Sequence, residues 1–381
     1  MAIVIVGAGL AGLRTAQELR KLEYGGDIVL VGDENHLPYD RPPLSKEVIR
    51  GEREDTTFEP AEYFLEHNIE LRLGSAAVAV DTAAQTVELA DGSTLAYDEL
   101  VLATGLHPRR LPSLPDLIGV HVLRSRDDAA ALRKDVESSS RALVVGAGFI
   151  GCELAAGFRH AGADVVIVEP QQTPLGSVLG AEVGELVARL HREEGVDLRT
   201  GTGIKTLRGS DRVTHAVLTD DTEIEVDTVV IGVGSTPVTG FLAGSGIEIA
   251  DGISADAVGR TSDPHVWTVG DVAAWTVGDA TKRVEHWSNV GDQVRVMVPA
   301  ILGHEAAPAR PQVPYFWSDQ YDLKIQALGT PSADDSVKIV DDDGRKFLAY
   351  YFRDGILTAV VGAGKAGGVM KMRAKIGLPL E

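Results

Sequence analysis

The chain has 381 residues, of which 44% are hydrophobic and 24% charged, and its formal net charge is −20. This composition is ordinary for a globular protein, and at about 100–200 residues per domain the length predicts two or three domains. The acidic balance disfavours nucleic acid and anionic membranes as partners, no apolar run reaches the ~18 residues of a membrane-spanning helix, and no basic leader precedes the first apolar run, so we expect a cytoplasmic protein.

The first predicted unit is a strand, a glycine turn, a helix, a second strand and an acid. Residues 3–6 and 28–31 are short apolar runs typical of buried parallel strands, and residues 7–12 read G-A-G-L-A-G. Asp33 follows Gly12 by 21 residues. Glycines in such a turn let the backbone approach a pyrophosphate, the helix N-terminus offers N–H groups, and an acid about 20 residues later accepts hydrogen bonds from ribose.

The same pattern recurs 139 residues further along the chain. Residues 143–145 and 165–168 predict strands, and residues 146–151 read G-A-G-F-I-G between them. Glu169 follows, and the next three residues include neither Arg nor Lys. Since a carboxylate repels a 2′-phosphate, the second site is predicted to prefer NADH over NADPH.

Further apolar runs at residues 100–103, 228–231 and 266–269 lead into Gly or Thr-Gly, as strands do at a ligand crevice. The proline-rich residues 305–314 predict a domain boundary. Beyond it, strand-like runs separated by Asp-Gly turns predict a small antiparallel sheet, with a short helix from about Gly367. The predicted strands of that sheet are 337–340, 346–352 and 356–361.

The fold class expected is therefore α/β, with two Rossmann-like dinucleotide-binding domains and a small α+β C-terminal domain. The predicted domains are a first dinucleotide-binding domain from 1–110 and 240–312, a second from 111–239, and a C-terminal domain from 313–381. Two dinucleotide sites suit a conversion between electron carriers. NADH gives up two electrons as a hydride, whereas FAD accepts a hydride and can release electrons singly.

Seven stretches, in this order, match one known family. They are V-G-A-G-L-A-G at 6–12, P-Y-D-R-P-P-L-S-K at 38–46, L-A-T-G at 102–105, V-V-G-A-G-F-I-G-C-E at 144–153, T-V-G-D-V-A at 268–273, E-H-W-S-N at 285–289 and F-W-S-D-Q-Y at 316–321. The chain thereby resembles the NADH-dependent ferredoxin reductases of oxygenase systems, which belong to the glutathione-reductase-like FAD flavoproteins. The resemblance implies a ferredoxin as electron acceptor.

The resemblance implies an FAD site in which Asp33 holds the adenosine ribose, Asp271 bonds the ribityl chain and Trp287 lies by the isoalloxazine. Its full predicted set is Gly7, Gly9, Leu10, Ala11, Gly12, Asp33, Arg41, Lys46, Val78, Ala103, Thr104, Gly105, Arg124, Gly270, Asp271, Glu285 and Trp287.

The resemblance also implies an NADH site around the second glycine turn. Its predicted residues are Gly146, Gly148, Phe149, Ile150, Gly151, Glu153, Glu169 and Gly232. Lys46 and Glu153 are predicted to form an ion pair beside the flavin and to be the catalytic residues. Ser177 stands where members of the family carry an arginine, which removes one positive charge from the adenine end. No metal site is predicted.

Cys152 is the only cysteine, so a catalytic cysteine pair is excluded. The segment D-R-P-P-L-S-K at 40–46 also lacks the single cysteine of related NADH oxidases and coenzyme A disulfide reductases, and no histidine follows residue 315. Hydride transfer followed by single-electron steps to ferredoxin is the route that these residues favour. Two alternatives stay open: an NADH reductase of a small quinone or radical acceptor, and an NADH-responsive interaction flavoprotein like apoptosis-inducing factor.

The segment 365–375 contains four basic residues and no acid, in a chain of net charge −20. Ferredoxins are usually acidic, and two negative proteins repel each other on approach. We therefore expect this segment, with Lys365, Lys371, Arg373 and Lys375, to form part of the docking surface for the acceptor.

Overall fold

The computed structural model describes residues 1–305 and 313–380. The chain divides into two compact units, unit 1 from Met1–Asp40, Thr56–His107 and Thr236–Gln312, and unit 2 from Arg41–Asp55, Pro108–Ser235 and Val313–Glu381. The predicted boundary at residues 305–314 falls mainly on 306–312, which lie outside the described residues. The division into three domains stays a prediction.

Unit 1 is built on a five-stranded parallel sheet that contains four predicted apolar runs and one strand, Ile69–Arg72, that was not predicted. Its strand order is Val266–Thr268, Glu99–Leu102, Ala2–Val6, Asp27–Val31 and Ile69–Arg72. The helices of this unit are Leu10–Lys21, Ala61–Glu66 and Trp287–Ile301, with a 3-10 turn at Gly240–Leu242. Leu13 and Leu19 of the first helix are fully buried in the core beside this sheet. Because the strands run parallel, the turns that follow them meet at one edge of the sheet.

Smaller sheets complete unit 1. Three antiparallel strands lie at Ala77–Asp81, Thr86–Leu89 and Thr94–Ala96. A mixed sheet contains Ile249–Ala250, Gly252–Ala255, Ala273–Val277 and Ala280–Arg283. The short strands Leu106–Pro108 and Ser235–Pro237 form a separate two-stranded sheet.

Unit 2 repeats the parallel architecture. Its sheet has the order Asp197–Thr200, Asp164–Glu169, Arg141–Val145, Thr228–Ile231 and Val120–His121. The helices of this part are Arg126–Ser138, Phe149–His160 and Gly176–Glu193. An antiparallel sheet of Ile204–Gly209, Val213–Leu218 and Glu223–Glu225 accompanies them.

The C-terminal part of unit 2 is the antiparallel sheet predicted from the turn signals. Its order is Tyr315–Gln320, Leu323–Gly329, Ile356–Ala363, Phe347–Arg353 and Ser336–Asp342. The predicted helix is present at Ala366–Met370, with 3-10 turns at Arg373–Lys375 and, earlier in the chain, Pro42–Ser45. Sequence reasoning missed the strands Tyr315–Gln320 and Leu323–Gly329, because buried polar residues interrupt the apolar pattern, Ser318 and Gln320 in the first strand and Gln326 in the second. The predicted fold class is confirmed.

No helix in the described ranges is long and apolar enough to cross a membrane.

Candidate cofactor sites

The two glycine turns, residues 7–12 and 146–151, have the same backbone geometry. Each first glycine donates its N–H to the end of the following strand at 2.8 Å, Gly7 to Val31 and Gly146 to Val168. Their φ angles are +117° and +99°, a region that favours glycine. The duplication predicted from the sequence is therefore present at the level of individual hydrogen bonds.

The glycines of each turn are required for two different reasons. A Cβ at Gly12 would lie 2.0 Å from the Gly7 carbonyl oxygen, and one at Gly151 would lie 2.1 Å from that of Gly146, so helix packing excludes any side chain there. At Gly9 and Gly148 a Cβ would meet nothing within 4 Å. The fold leaves these two positions open, and a side chain there would fill the space that a pyrophosphate needs in a dinucleotide site.

The helices that follow the two turns have N-termini suited to binding an anion. Leu10–Lys21 and Phe149–His160 begin directly after the open glycines, without a side-chain cap and without an acid in the first turn. Their first N–H groups and positive dipole ends therefore face the open positions. We conclude that the residues present fit two dinucleotide pyrophosphates, one in each unit.

In unit 1 the structure brings several predicted residues together around the first turn. The Ala103 carbonyl oxygen lies 2.2 Å from where a Cβ of Gly7 would be, and a Cβ of Gly270 would lie 2.9 Å from the Cβ of Ala11. The N–H of Gly270 donates to Oε1 of buried Gln293 at 2.9 Å, a residue that sequence reasoning missed. Gln293 holds the glycine that precedes Asp271, and the T-V-G-D motif does not show which side chain bonds that glycine.

The remaining predicted residues of unit 1 are more scattered. Asp33 is exposed after the second strand, and Val78 is 46% exposed in a separate sheet. Thr104 donates through Oγ1 to the Val238 carbonyl at 2.8 Å, just before Gly105. Glu285 is paired with Arg283, which also donates to the Asp271 carbonyl at 3.2 Å.

Trp287 begins the helix Trp287–Ile301 and is 40% exposed. Its indole N–H donates to Oδ1 of Asp40 at 3.0 Å. This fixes one edge of a large aromatic ring and leaves much of its surface accessible, an arrangement suited to stacking against a ligand.

In unit 2 the acid at the end of the second strand supports its own turn. Glu169 Oε2 accepts the N–H of Ala147 at 2.7 Å, and Oε1 accepts that of Gln171 at 2.9 Å. A carboxylate has about four acceptor positions, so two remain for ribose hydroxyls. The Gly232 carbonyl closes the turn from the other side, 2.4 Å from where a Cβ of Gly146 would be.

The predicted ion pair between Lys46 and Glu153 is present in unit 2. Lys46 Nζ lies 2.7 Å from Glu153 Oε2, and both side chains are buried. Two charges removed from water are stable together only when they are close and fully hydrogen-bonded. The lysine satisfies a second donor on the Pro42 carbonyl at 3.0 Å.

Two serines complete the bonding of the Glu153 carboxylate, and sequence reasoning missed both. Ser45 donates to Oε2 at 2.5 Å, and Ser318 donates to Oε1 at 2.8 Å. Ser45 precedes Lys46 in P-P-L-S-K, and Ser318 lies in F-W-S-D-Q-Y. Both motifs were recognised, but a motif does not show which of its side chains converge on one carboxylate.

The other predicted FAD contacts of unit 2 are Arg41 and Arg124. Arg41 donates through Nη1 to the Arg124 carbonyl at 2.6 Å, so the structure brings these two predicted residues together. Ser177 lies in the first turn of the helix Gly176–Glu193. The predicted site residues are thus divided between the units, and their cofactor contacts stay predictions.

Cys152 is fully buried in the helix Phe149–His160. Its thiol donates to the Ala147 carbonyl at 3.6 Å, and burial raises the pKa of the thiol far above its ordinary value. The reactive thiolate is therefore suppressed, and Cys152 serves the packing of the second turn.

The C-terminal segment 365–375 offers fewer positive charges to a partner than the sequence suggests. Lys365 lies 2.8 Å from Asp341 and 3.6 Å from Asp343, which neutralise it. Lys371, Arg373 and Lys375 are exposed. The expectation of a four-residue patch is corrected to these three cations.

Comparison with known proteins agrees with this arrangement. The family model described as pyridine nucleotide-disulphide oxidoreductase matches residues 1–293, and the model described as reductase C-terminal matches residues 315–378. The chain is 38% identical over 381 residues to rhodocoxin reductase of Rhodococcus erythropolis, covering 98% of this chain and 88% of the relative.

Solved structures are similar over almost the whole chain. The ferredoxin reductase for the CYP199A2 system from Rhodopseudomonas palustris has a TM-score of 0.93 at 35% identity, covering 98% of this chain and 93% of that one. The reductase in the covalent putidaredoxin reductase–putidaredoxin complex has a TM-score of 0.94 at 31% identity, covering 100% and 94%.

Proposed function

The chain belongs to the pyridine nucleotide-disulphide oxidoreductase family, and we propose that it is an NADH-dependent, FAD-containing ferredoxin reductase that supplies an oxygenase. The observation that carries the proposal is the pair of open glycine positions, Gly9 and Gly148, in a chain whose single cysteine is buried. Two dinucleotides can bind, and no thiol is available to relay electrons to a disulfide. The named ferredoxin reductases among the relatives support a protein acceptor.

When bound, FAD accepts a hydride from NADH and passes the two electrons on one at a time. The first turn would hold the pyrophosphate of FAD, with Gln293 fixing the backbone at Gly270 and Asp271. The second turn would hold the pyrophosphate of NADH, with Glu169 accepting from the adenosine ribose. The protein contributes binding, orientation and a fixed electrostatic environment.

We assign Lys46 and Glu153 the role of catalytic pair that is expected from the sequence. With both cofactors bound, the ammonium of Lys46 would favour the negative charge that develops on the reduced flavin, and the carboxylate of Glu153 would orient the nicotinamide and balance the lysine charge. Removing one partner would leave the other buried and unpaired, at a cost of about 3–5 kcal/mol. Glu153→Gln keeps the size and hydrogen-bonding capacity of the side chain but removes the counter-charge of Lys46, so its loss of stability is measured together with its loss of activity.

The proposal includes a cytoplasmic location, where NADH is regenerated. It also includes a docking surface for the acidic ferredoxin on Lys371, Arg373 and Lys375, whose charge opposes that of the chain as a whole.

The experiment that tests the function compares electron acceptors. The purified protein is expected to be yellow, with about one FAD per chain, and to reduce an oxygenase ferredoxin at low micromolar concentration with NADH. Equal efficiency with a small quinone, and none with any ferredoxin, would instead favour the quinone reductase. A charge-transfer complex that persists for minutes after NADH addition in air would favour the interaction flavoprotein.

A further inference from the structure

The carboxylate of Glu153 is held by segments that are far apart in the sequence. Lys46 and Ser45 both bond to Oε2, whereas Oε1 receives its hydrogen bond from Ser318 of the strand Tyr315–Gln320. The last torsion of a glutamate side chain is soft and roughly two-fold, and Lys46 and Ser45 restrain it through one oxygen only. The bond to the second oxygen fixes that torsion.

The direction of the Ser318 bond follows from chemistry. An ionised carboxylate only accepts, so the single hydroxyl hydrogen of Ser318 points at Glu153. The Ser318 hydroxyl oxygen in turn accepts a hydrogen bond from the side-chain amide of Gln320, whose Nε2 lies 3.2 Å away. Ser318 and Gln320 are fully buried, so water does not compete for these bonds.

The strand is held in register with the helix that carries Glu153. Alternate residues Phe316, Ser318 and Gln320 share one face of the strand. The ring of Phe316 packs edge-on against Phe149, with centroids 5.0 Å apart. Glu153 follows Phe149 by four residues and so lies on the same face of the helix. The aromatic contact and the Ser318 bond therefore fix the strand at two successive turns.

His191, which lies near Gln320, adds no second positive charge to the network around Glu153. His191 is buried, its Nδ1 lies 2.7 Å from the Tyr321 hydroxyl, and burial lowers its pKa to about 4 although the Gln320 side chain opposes the shift. The imidazole is therefore neutral at physiological pH. The ammonium of Lys46 remains the charge that balances Glu153.

We propose that Ser318 is a positioning residue for flavin reduction by NADH, which acts by fixing Oε1 of Glu153. The inference rests on the proposed function, in which Glu153 orients the nicotinamide. It gives the C-terminal sheet a part in the NADH reaction that neither glycine turn supplies. Ser318 itself need not contact either cofactor.

The test measures flavin reduction in the FAD-loaded protein by anaerobic stopped flow, without ferredoxin. Ser318→Ala is expected to lower the limiting rate constant about tenfold while the Kd for NADH stays within about threefold, because misorientation affects transfer more than binding. Ser318→Thr, which keeps the hydroxyl, is expected to recover most of the rate. Thr228→Val is the matched control, since it removes another fully buried hydroxyl of unit 2 that makes no hydrogen bond to the described residues.

Two further measurements separate positioning from general stability. In the Glu153→Gln background, Ser318→Ala is expected to add less than about twofold, because residues that act through one another are not additive. NAD⁺ titration of the oxidised protein is expected to give an altered flavin difference spectrum in Ser318→Ala and an unaltered one in Thr228→Val.

The inference is overturned if Ser318→Ala reduces its flavin as fast as the Thr228→Val control. It is equally overturned if the effects of Ser318→Ala and Glu153→Gln multiply, since Ser318 would then act independently of the carboxylate. A wild-type flavin that NADH fails to reduce would instead overturn the proposed function itself, and the two failures are distinguished by the wild-type trace alone.

Discussion

The two turn helices, Leu10–Lys21 and Phe149–His160, have matching backbones and different side chains at the same positions. Four residues after the first glycine, Ala11 is 8% exposed and packs against Gly270, whereas Ile150 is 44% exposed. At this position the first turn helix is covered by Gly270 of its own unit, whereas the second turn helix presents an accessible side chain. This difference suits a resident dinucleotide at the first turn and an exchanging one at the second.

The contrast is sharper seven residues after the first glycine. Arg14 is half-buried, bonded to Gln17 and placed over the ring of Phe58 at 5.8 Å. Glu153, at the corresponding position, is buried in a network with Lys46 and Ser318. A glycine turn thus determines where a pyrophosphate binds, while the next helical turn determines what chemistry is possible beside it.

The largest expected effect comes from filling the open glycine positions. Gly9→Val is expected to abolish FAD retention, weakening binding more than about 100-fold, or about 2.7 kcal/mol, because the side chain occupies the pyrophosphate space. Gly148→Val is expected to keep FAD and to raise the KM for NADH at least about tenfold. FAD per chain after gel filtration and steady-state NADH kinetics measure the two outcomes.

The same two variants also test whether the resident and exchanging cofactors have been assigned to the correct turns. Both variants are expected to fold, because a Cβ at either position meets nothing within 4 Å, and thermal unfolding of the FAD-free forms checks this. If Gly148→Val loses FAD while Gly9→Val retains it, the assignment of the resident and exchanging cofactors is reversed.

The parts of this contrast that repeat in the sequence could be predicted from it. Most of the parallel strands, both turns and the two acids were found in this way, since parallel strands appear as apolar runs and dinucleotide turns need glycine, whereas the Lys46–Glu153 pair was expected from the family resemblance. Gln293, Ser45 and Ser318 could not be found in this way. Each is a buried polar residue whose partner lies more than 20 positions away, and local periodicity contains no information about such contacts.

The second-largest effect, about tenfold, is expected at Glu169, the acid at the end of the strand that follows the second turn helix. The wild type is expected to prefer NADH over NADPH by at least about tenfold in kcat/KM, or about 1.4 kcal/mol, and Glu169→Arg should reduce or reverse that ratio. Because Glu169 also accepts the N–H groups of Ala147 and Gln171, some loss of NADH binding is expected as well. Asp164→Ser, at the exposed start of the same strand, is the control. Equal use of both nucleotides by the wild type would contradict this role.

A smaller effect is expected at the basic C-terminal segment, where neither turn is involved. Reversing Lys371 and Arg373 to Glu should slow ferredoxin reduction several-fold at low salt and flatten its salt dependence, since exposed charges are screened beyond about 8 Å at physiological ionic strength. Reversal of exposed Lys134 and Lys338 makes the same change in net charge elsewhere in unit 2. If both double variants behave alike, docking does not depend on this segment. FAD content and ferricyanide turnover should not change.

The smallest expected effect is at Cys152, which corresponds to Leu13 in the first turn helix. Leu13 and Cys152 are both fully buried, and an aliphatic residue fills the equivalent place in the first turn without any chemistry. Cys152→Ser should therefore leave ferredoxin-linked turnover within about threefold of wild type, with a modest loss of stability from burying a hydroxyl in place of a thiol. Cys152→Ala separates that polar cost from loss of volume. Normal flavin reduction by NADH with abolished ferredoxin reduction in both variants would show that the thiol carries electrons, and the helices would then differ in chemistry at this position as well.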